Sequence, residues 1–324
     1  MLPTPGSTRR PLPRARLIAT AALLAGLVLS ACSTNGSSGD ASAATTTKQP
    51  ASTTAAPDAT VPTDRPIEVH VPKSYNKDTP APLLILLHGF GASGKLQEGY
   101  LGLTKPADAA GMLYVYPDGT TNVIGKQFWN ATDACCAGPK AKTAVDDSAY
   151  LASVIAQVKS QYNVDPKRVF IVGHSNGGFM SYRMACDHAD EIAAIVSLEG
   201  ATFDDPSACK PSEPVSTLEV HGRSDTTIFY DGGKIVGTPY PGAEQTVKTW
   251  ATYDGCSTTP DDPAPASRQI VRDLPPAEVT SYSDGCKPGG HAELWSQPEG
   301  VHIPPWSETF SQQVIDWLQA HPKP

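Results

Sequence analysis

Short unbroken apolar runs alternate with longer stretches of helical period from about residue 65 to the end of the chain. Such runs are typical of strands buried on both faces, and strands that alternate with helices pair in parallel. We interpret as strands residues 83–87, 112–116, 168–173, 192–198, 217–220 and 292–296. The helical period predicts helices over 147–162, 177–187 and 307–320. The pattern therefore predicts an α/β fold with a mainly parallel central sheet and helices on both faces.

The rest of the chain divides into less regular segments. Residues 33–63 are mostly Ser, Thr, Ala, Gly and Pro, which cannot offset ordering entropy by burial, and we expect a disordered tether. Residues 257–279 contain several prolines and are interpreted as a surface excursion. No internal repeat or second domain boundary is visible. We therefore expect one folded domain over residues 64–324.

Residues 1–32 have the order of a secretory signal peptide, with four arginines, the apolar run 17–29 and then small residues. The run is too short for a comfortable membrane span. Residues 29–32, LSAC, resemble a bacterial lipobox, in which cleavage before the cysteine leaves it lipid-modified. We predict an exported lipoprotein, anchored to the cell membrane or cell surface by acyl chains on Cys32 and partly secreted. Plain secretion and a twin-arginine export route both stay open.

The chain is acidic, with a formal net charge of −8 at pH 7. Removal of residues 1–32 takes away four arginines and no acidic residue, which makes the formal charge more negative still. An acidic protein is repelled by a phosphate backbone, so we expect no binding to nucleic acid.

Six cysteines remain once Cys32 is assigned to the lipid, and an even number in an exported chain favours three disulfides. A bond between neighbouring cysteines is excluded as strained, and the other pairings stay open. None of the cysteines has the two-residue spacing of a zinc-ligand loop, so we expect no metal site. The six are Cys135, Cys136, Cys186, Cys209, Cys256 and Cys286.

The motif G-x-S-x-G lies at the junction between a predicted strand and a predicted helix, as GHSNG at 173–177. Strand, motif and helix together form the context of a nucleophile elbow. The glycines are needed because the turn is sharp and a Cβ would collide with the strand or the helix. The serine oxygen then lies at the carboxyl edge of the sheet, beside a helix N-terminus that favours negative charge. We predict that Ser175 is the nucleophile of an α/β-hydrolase fold.

A nucleophilic serine needs donors for the oxyanion that it creates. Residues 88–91, HGFG, directly follow the predicted strand 83–87 and resemble an HG-type oxyanion loop. In such a site one backbone N–H comes from this loop and the other from the residue after the nucleophile. We assign these donors to Phe90 and Asn176. An ordinary glycine turn is the alternative for residues 88–91.

The acid of the site is expected after a later strand, since the chain order in this fold is serine, acid, histidine. Asp225 lies five residues beyond the predicted strand 217–220 and is the predicted acid. Asp231 precedes two glycines and is interpreted as a turn residue.

Two histidines compete to be the base. His291 follows two glycines but precedes the last predicted strand, whereas His302 lies between that strand and the last helix. This fold places the catalytic histidine in the latter loop, so we predict His302 and keep His291 as the alternative. His88 and His221, next to glycines at strand ends, are interpreted as hydrogen-bonding supports.

Further motifs are shared with one known family. They are VDD at 145–147, VDPKR at 164–168, GHSNGG at 173–178, MAC at 184–186, Asn130 with Cys135 and Cys136, HGRSD at 221–225 and DGG at 231–233. Together they resemble the bacterial polyhydroxybutyrate-depolymerase and feruloyl-esterase-like lipoproteins. The resemblance covers essentially the whole of residues 64–324 and implies a carboxylic-ester hydrolase of the α/β-hydrolase fold.

The chain departs from this family near the predicted base. The final motif there is usually glycine, histidine, any residue, tryptophan and proline, whereas residues 300–305 read GVHIPP and Trp306 is displaced. This departure weakens the assignment of the substrate pocket more than the assignment of the catalytic triad. The resemblance also implies pairing of Cys256 with Cys286, which leaves Cys135 and Cys136 to reach Cys186 and Cys209.

The predicted reaction is ester hydrolysis through an acyl-enzyme, with Ser175 attacking, His302 taking its proton and Asp225 stabilising the imidazolium. Neither a metal nor an organic cofactor is required. We expect a monomer that acts on a small or polymer-derived ester: a feruloyl or acetyl ester of polysaccharide, a short-chain ester, or an amorphous or oligomeric hydroxyalkanoate. Only 22 residues follow His302, which we interpret as too few for a polymer-binding module.

Two other functions are considered because this scaffold serves many activities. A non-catalytic surface protein that uses the hydrolase fold for binding would have a broken triad, and no break is visible. A serine peptidase is disfavoured because no propeller or lid domain is seen in the sequence.

Overall fold

The computed structural model describes residues 65, 67–136, 145–261 and 267–324. The predictions for the signal peptide, for the lipid on Cys32 and for the tether lie outside these ranges. None of the helices within them combines the length and apolar character that a membrane crossing requires.

Strands and helices alternate along the described ranges, as the apolar pattern predicts. The strands are β1 Val69–His70, β2 Ala81–Leu87, β3 Leu113–Val115, β4 Thr120–Thr121, β5 Gln127–Phe128, β6 Val164–His174, β7 Ala194–Leu198, β8 Ser216–Gly222, β9 Gly232–Ile235, β10 Thr238–Pro241, β11 Glu278–Tyr282 and β12 Ala292–Gln297. The α-helices are α1 Gly94–Leu101, α2 Thr104–Ala109, α3 Asp147–Gln161, α4 Asn176–Asp187, α5 Ala243–Tyr253 and α6 Phe310–Ala320.

The central sheet has eight described strands in the order β1-β3-β2-β6-β7-β8-β12-β11. The six inner strands run parallel, and β1 and β11 run antiparallel to their neighbours. Parallel strands end at one edge, so the loops after β2, β6, β8 and β12 open on the same side. The predicted nucleophile Ser175, the acid Asp225, the base His302 and the oxyanion donor Phe90 lie in these four loops, and Asn176 begins the helix after β6.

The sheet is buried on both faces. Along β2, Leu83, Ile85 and Leu87 pack into the core that also contains the apolar sides of α3, α4 and α5. Leu84 and Leu86 pack into the opposite core, which contains residues of α1, α2 and α6. Burial on both faces explains the unbroken apolar runs. The prediction of a mainly parallel sheet with helices on both faces is confirmed.

Residues 267–279, which are described, differ from the prediction of a surface excursion over 257–279. Ile270, Val271 and Ala277 are fully buried in the second core, and Val271 forms a β-bridge with Trp306. The adjacent pair Ile270 and Val271 and the distant Ala277 form no helical or strand period, because a connecting segment contacts the core only at isolated points. The antiparallel strand β11 then begins at residue 278.

The disulfide pairing also differs from the prediction. Cys256 is bonded to Cys286, as the family resemblance implies, but the expectation that Cys135 and Cys136 reach Cys186 and Cys209 is wrong. Cys135 and Cys136 are bonded to each other across a cis peptide bond, with Cα atoms 3.0 Å apart. The prediction excluded this pair as strained, and a trans peptide would separate the two Cα atoms by about 3.8 Å. Cys186 pairs with Cys209, with Cα atoms 5.6 Å apart.

We expect disulfide mapping to distinguish the two pairings. Digestion of the unreduced protein should release Cys135 and Cys136 in one peptide, lighter by two hydrogens than its reduced form, and a separate pair of peptides joined through Cys186 and Cys209. Mass spectrometry of the fragments measures both. A linked pair that joins Cys136 to Cys209 would contradict the structure.

Candidate active site

Ser175 occupies a sharp turn between β6 and α4. Its backbone has φ 54° and ψ −118°, a conformation that L-residues seldom adopt. A Cβ on Gly173 would collide with the Gly177 carbonyl, and one on Gly177 would collide with the Leu87 carbonyl. The Ser175 N–H donates to the carbonyl of Leu198 at 2.7 Å. The two glycines thus permit the turn that was predicted from the motif.

Three side chains from separate loops meet at this turn. His302 Nε2 lies 2.9 Å from Ser175 Oγ, and His302 Nδ1 lies 2.6 Å from Asp225 Oδ2. Asp225 is buried, and Ser175 is 9% exposed. The structure therefore brings the predicted nucleophile, base and acid together in hydrogen-bonding order.

The loop after β8 holds Asp225 as a carboxylate. Its Oδ1 accepts hydrogen bonds from the N–H groups of Thr227 at 2.7 Å and Ile228 at 3.0 Å. Burial alone would raise the pKa of Asp225. The hydrogen bond and charge of His302, with those two backbone bonds, outweigh it and lower the pKa below its ordinary value. Asp225 is thereby ready to stabilise an imidazolium.

The two alternative residues lie away from Ser175. His291 precedes β12, at the edge of the sheet opposite the carboxyl ends, with Nε2 3.1 Å from Glu293 Oε2. Its ring packs 4.6 Å from that of His321. Asp231 is exposed at the turn before β9. The structure does not bring either of them to the nucleophile.

The predicted oxyanion donors are free for a ligand. Within the described ranges, the N–H groups of Phe90 and Asn176 have no hydrogen-bond partner. Around Phe90 the neighbouring amides are engaged: the N–H of Gly89 donates to the Gln97 side chain at 3.2 Å, and that of Gly91 to a β5 carbonyl at 2.7 Å. Asn176 is the first residue of α4, where the N–H has no partner within the helix.

His88 supports the same loop. Its Nδ1 donates to the carbonyl of Gly89 at 2.8 Å, and its Nε2 accepts from the N–H of Gly119 at 2.8 Å. These roles define a neutral ring, and burial lowers the pKa of His88, which keeps it neutral. The Gly89 carbonyl shares a peptide unit with the N–H of Phe90. The bond from His88 therefore fixes and polarises that N–H.

His221 lies behind Asp225 in a buried polar cluster. Its Nδ1 is 2.9 Å from Glu219 Oε1, and its Nε2 donates to the carbonyl of Ile228 at 2.9 Å. Burial alone would lower the pKa of His221. The hydrogen bond to Glu219 and the charges of Glu199 and Glu219 outweigh burial and raise it to about 9. The His221 cation lies 3.7 Å from Asp225 Oδ2 and favours the carboxylate form.

Glu199, His221 and Asp225 also have the donor types of a cation site, with ligand atoms within 4.8 Å of one another. Each of them is engaged by the protein. Glu199 Oε2 accepts from the N–H of Gly222 at 2.9 Å, and Asp225 is bonded to His302. We therefore assign the cluster to the support of Asp225.

Two clefts meet at Ser175, and Phe90 and Thr227 line both of them. One cleft has a volume of about 340 Å³, and its walls include Ala134, Cys135, Cys136, Ile228, Ile235 and Val236. The other has a volume of about 600 Å³, and its walls include Leu96, Gln97, Tyr100, His174, His302 and Ile303. The vicinal disulfide is therefore a wall of the smaller cleft, and the predicted base is a wall of the larger one.

The site contains residues that the sequence did not single out. Glu219 lies within the fully buried strand β8 and has no motif of its own. The signal for it is its position, because an acidic residue in a fully buried strand requires a buried polar partner. Glu199 directly follows β7 and has a φ of 55°. Trp129 immediately precedes Asn130 of the family motif, and its role depends on contacts with residues far away in the sequence.

Residues 74–236, half of the chain, match a family described as phospholipase/carboxylesterase. The chain belongs to this family. Feruloyl esterase B of Piromyces equi is 31% identical over 240 residues, which are 71% of this chain and 43% of that protein. The putative esterase NocK of Nocardia uniformis subsp. tsuyamanensis is 30% identical over 176 residues, 53% of this chain and 49% of that protein. The chain thus spans half or less of the length of these relatives.

Membership of the phospholipase/carboxylesterase family agrees with the fold. A solved acetyl xylan esterase from Aspergillus awamori has a TM-score of 0.57 and 16% sequence identity, over 78% of this chain and 93% of that one. This likeness concerns the α/β-hydrolase fold. The predicted esterase family is confirmed, whereas the polyhydroxybutyrate-depolymerase and lipoprotein parts of the resemblance stay predictions.

Proposed function

We propose that this chain is a serine carboxylic-ester hydrolase, with Ser175 as nucleophile, His302 as general base and Asp225 as the acid that orients the base. The observation that carries the proposal is the continuous hydrogen-bond chain from Asp225 through His302 to Ser175, at 2.6 and 2.9 Å. Three loops of one sheet edge supply it in the order that nucleophilic catalysis requires. The esterase family membership supports the same chemistry.

In the proposed mechanism, Ser175 Oγ attacks the ester carbonyl while His302 Nε2 takes its proton. The N–H groups of Phe90 and Asn176 stabilise the tetrahedral oxyanion, and the α4 dipole adds to this. His302 then gives the proton to the leaving alcohol. Water repeats the attack on the acyl-enzyme with His302 as base again, which releases the acid and restores Ser175.

The position of the base suggests how the substrate lies. A general acid must reach the leaving oxygen, so the alcohol part belongs in the larger cleft, which His302 lines, and the acyl part in the smaller one. The apolar walls of the smaller cleft suit a compact apolar acyl group. We propose feruloyl or short-chain acyl esters as substrates, with a polysaccharide or oligomeric hydroxyalkanoate fragment as the alcohol side. The name of the Piromyces relative supports the feruloyl group.

A substrate panel tests this function. Methyl ferulate, p-nitrophenyl acetate, p-nitrophenyl butyrate and emulsified polyhydroxybutyrate are compared for the natural chain and for Ser175→Ala. We expect hydrolysis of the soluble esters by the natural chain and none above background by the variant. A folded natural chain that cleaves no ester of the panel would refute the proposal.

We expect Ile235→Trp to change substrate choice, because Ile235 lines only the smaller cleft among the two that meet at Ser175. The added bulk should lower kcat/KM for methyl ferulate by about 10-fold or more, and that for p-nitrophenyl acetate by less than about 3-fold. The matched control is Ile124→Trp, because Ile124 is 73% exposed and lines neither cleft. Equal losses for both esters would contradict the acyl assignment.

We also propose that the protein is an exported, monomeric lipoprotein with residues 1–32 as its signal peptide, 33–63 as its tether and 64–324 as its catalytic domain. The disulfides support an oxidising compartment. A labelled fatty-acid analogue should be incorporated by the natural chain and not by Cys32→Ala. A natural chain that is unlabelled and released into the medium would contradict the lipid anchor.

A further inference from the structure

Trp129 lies between the two segments that carry the proposed oxyanion donors. It is fully buried, and its indole N–H donates to the carbonyl of His88 at 3.0 Å. Its backbone N–H donates to Asn176 Oδ1 at 2.7 Å, and its carbonyl accepts from Asn176 Nδ2 at 2.9 Å. One residue is thus bonded both to the loop of Phe90 and to the residue after the nucleophile.

The two bonds to Asn176 orient one proposed donor. The carboxamide of Asn176 pairs with both backbone groups of Trp129, so its side chain has a single defined position. Its Nδ2 also lies 3.4 Å from Cys135 Sγ, in the wall of the smaller cleft. Because Asn176 is held at the first turn of α4, its own N–H is aimed by these contacts.

The bond to His88 orients the other donor. The His88 carbonyl and the Gly89 N–H belong to one peptide unit, which is held at one end by Trp129 and at the other by Gln97. The next peptide unit carries the N–H of Phe90. Loss of the indole bond would release the unit that precedes this donor.

The segment of Trp129 is itself anchored independently of both donors. The N–H of Asn130 donates to Asp147 Oδ2 at 2.7 Å, and Asp147 is fully buried. Arg65 pairs with the other oxygen of Asp147 at 2.8 Å. Trp129 therefore has a position of its own, and its hydrogen bonds can hold the two donor segments in place.

We propose that Trp129 is a positioning residue that sets the separation of the Phe90 and Asn176 N–H groups and so determines how well the site stabilises an oxyanion. This inference rests on the proposed esterase function. Strands β2 and β6 are paired with each other up to Leu87 and Gly173, and their pairing ends there, before the residues that carry the two donors. Donors of this kind act only when they are held to within about 0.5 Å, so the loops need a further link.

The test is Trp129→Phe, which removes the indole N–H and keeps an aromatic ring. The matched control is Trp250→Phe, because Trp250 is also fully buried, donates its indole N–H to Thr202 Oγ1 at 3.0 Å and lines neither cleft at Ser175. We expect Trp129→Phe to lower kcat for p-nitrophenyl butyrate by about 10-fold to 100-fold with KM changed by less than about 3-fold. Trp250→Phe should leave both within about 3-fold.

A second variant keeps the inference testable if Trp129→Phe does not fold, and a second readout does not depend on the choice of ester. Asn176→Ala removes the two side-chain hydrogen bonds to Trp129 and keeps the Asn176 backbone N–H. We expect kcat to fall by a similar factor. In the double variant the losses should be less than additive, because each variant misplaces one of two donors that act together on one oxyanion. The rate at which a fluorophosphonate labels Ser175 should fall in parallel, since its phosphoryl oxygen needs the same N–H groups.

Full kcat in a folded Trp129→Phe protein would overturn the inference, as would equal losses in Trp129→Phe and Trp250→Phe. If Trp129→Phe does not fold, full kcat in Asn176→Ala overturns it. A natural chain that neither cleaves an ester nor reacts with the fluorophosphonate refutes the proposed function instead. The two failures are therefore distinguishable.

Discussion

Replacing His302 with alanine is expected to lower kcat for a soluble ester by about 10³-fold or more, as happens when a serine hydrolase loses its base. His302 Nε2 lies 2.9 Å from Ser175 Oγ, and within the described ranges no other histidine nitrogen is hydrogen-bonded to that oxygen. Without it the hydroxyl keeps its proton and the leaving alcohol receives none. Steady-state hydrolysis of p-nitrophenyl butyrate measures the loss.

The matched control is His291→Ala, which should keep kcat within about 3-fold of the natural value. His291 lies at the opposite edge of the sheet, where its carbonyl accepts from the N–H of Thr217 at 2.7 Å and its ring packs near Trp317 and His321. A large loss in His291→Ala and a small one in His302→Ala, with both proteins folded by circular dichroism, would reverse the assignment of the base.

Asp225→Asn is expected to lower kcat by about 10³-fold to 10⁴-fold, because it keeps the shape of the side chain and removes its charge. Asp225 Oδ2 accepts from His302 Nδ1 at 2.6 Å, which leaves Nε2 free to take the serine proton. An amide N–H at that place favours the opposite tautomer, with the proton on Nε2. The imidazolium that forms on attack also loses its counter-charge.

Asp231→Asn is the control for this variant, because Asp231 is exposed and lies on the same loop connection between β8 and β9. Its kcat should stay within about 3-fold of the natural value. An Asp225→Asn protein that retains more than about a tenth of the activity would show that the carboxylate is dispensable.

The parts of the fold that the sequence predicts are those with strong local patterns. β2 reads as an unbroken apolar run because Leu84 and Ile85 face different cores and both are buried. β11 was missed because an edge strand has one neighbour, and its residues from Glu278 to Tyr282 range from exposed to buried. The contacts of Ile270 and Val271 with the second core follow only from the complete chain path.

In the candidate site, too, the residues with a sequence signal could be predicted and those without one could not. Ser175 and the loop of Phe90 have local motifs, and Asp225 and His302 follow from the order of strands in the fold. Trp129 has neither signal, because its partners His88 and Asn176 are 41 and 47 residues away. From the sequence alone the Cys135–Cys136 bond is excluded as strained, whereas the structure contains it, across a cis peptide.

The most direct test of the account is to trap the acyl-enzyme. A p-nitrophenyl ester has a good leaving group, so acylation is fast and the covalent intermediate accumulates. The natural chain is mixed with p-nitrophenyl butyrate, quenched in acid during turnover, digested and examined by mass spectrometry. The account predicts a butyryl group on Ser175, with no adduct and no hydrolysis above background in Ser175→Ala. A butyryl group on another residue, or hydrolysis by Ser175→Ala at the natural rate, would contradict it.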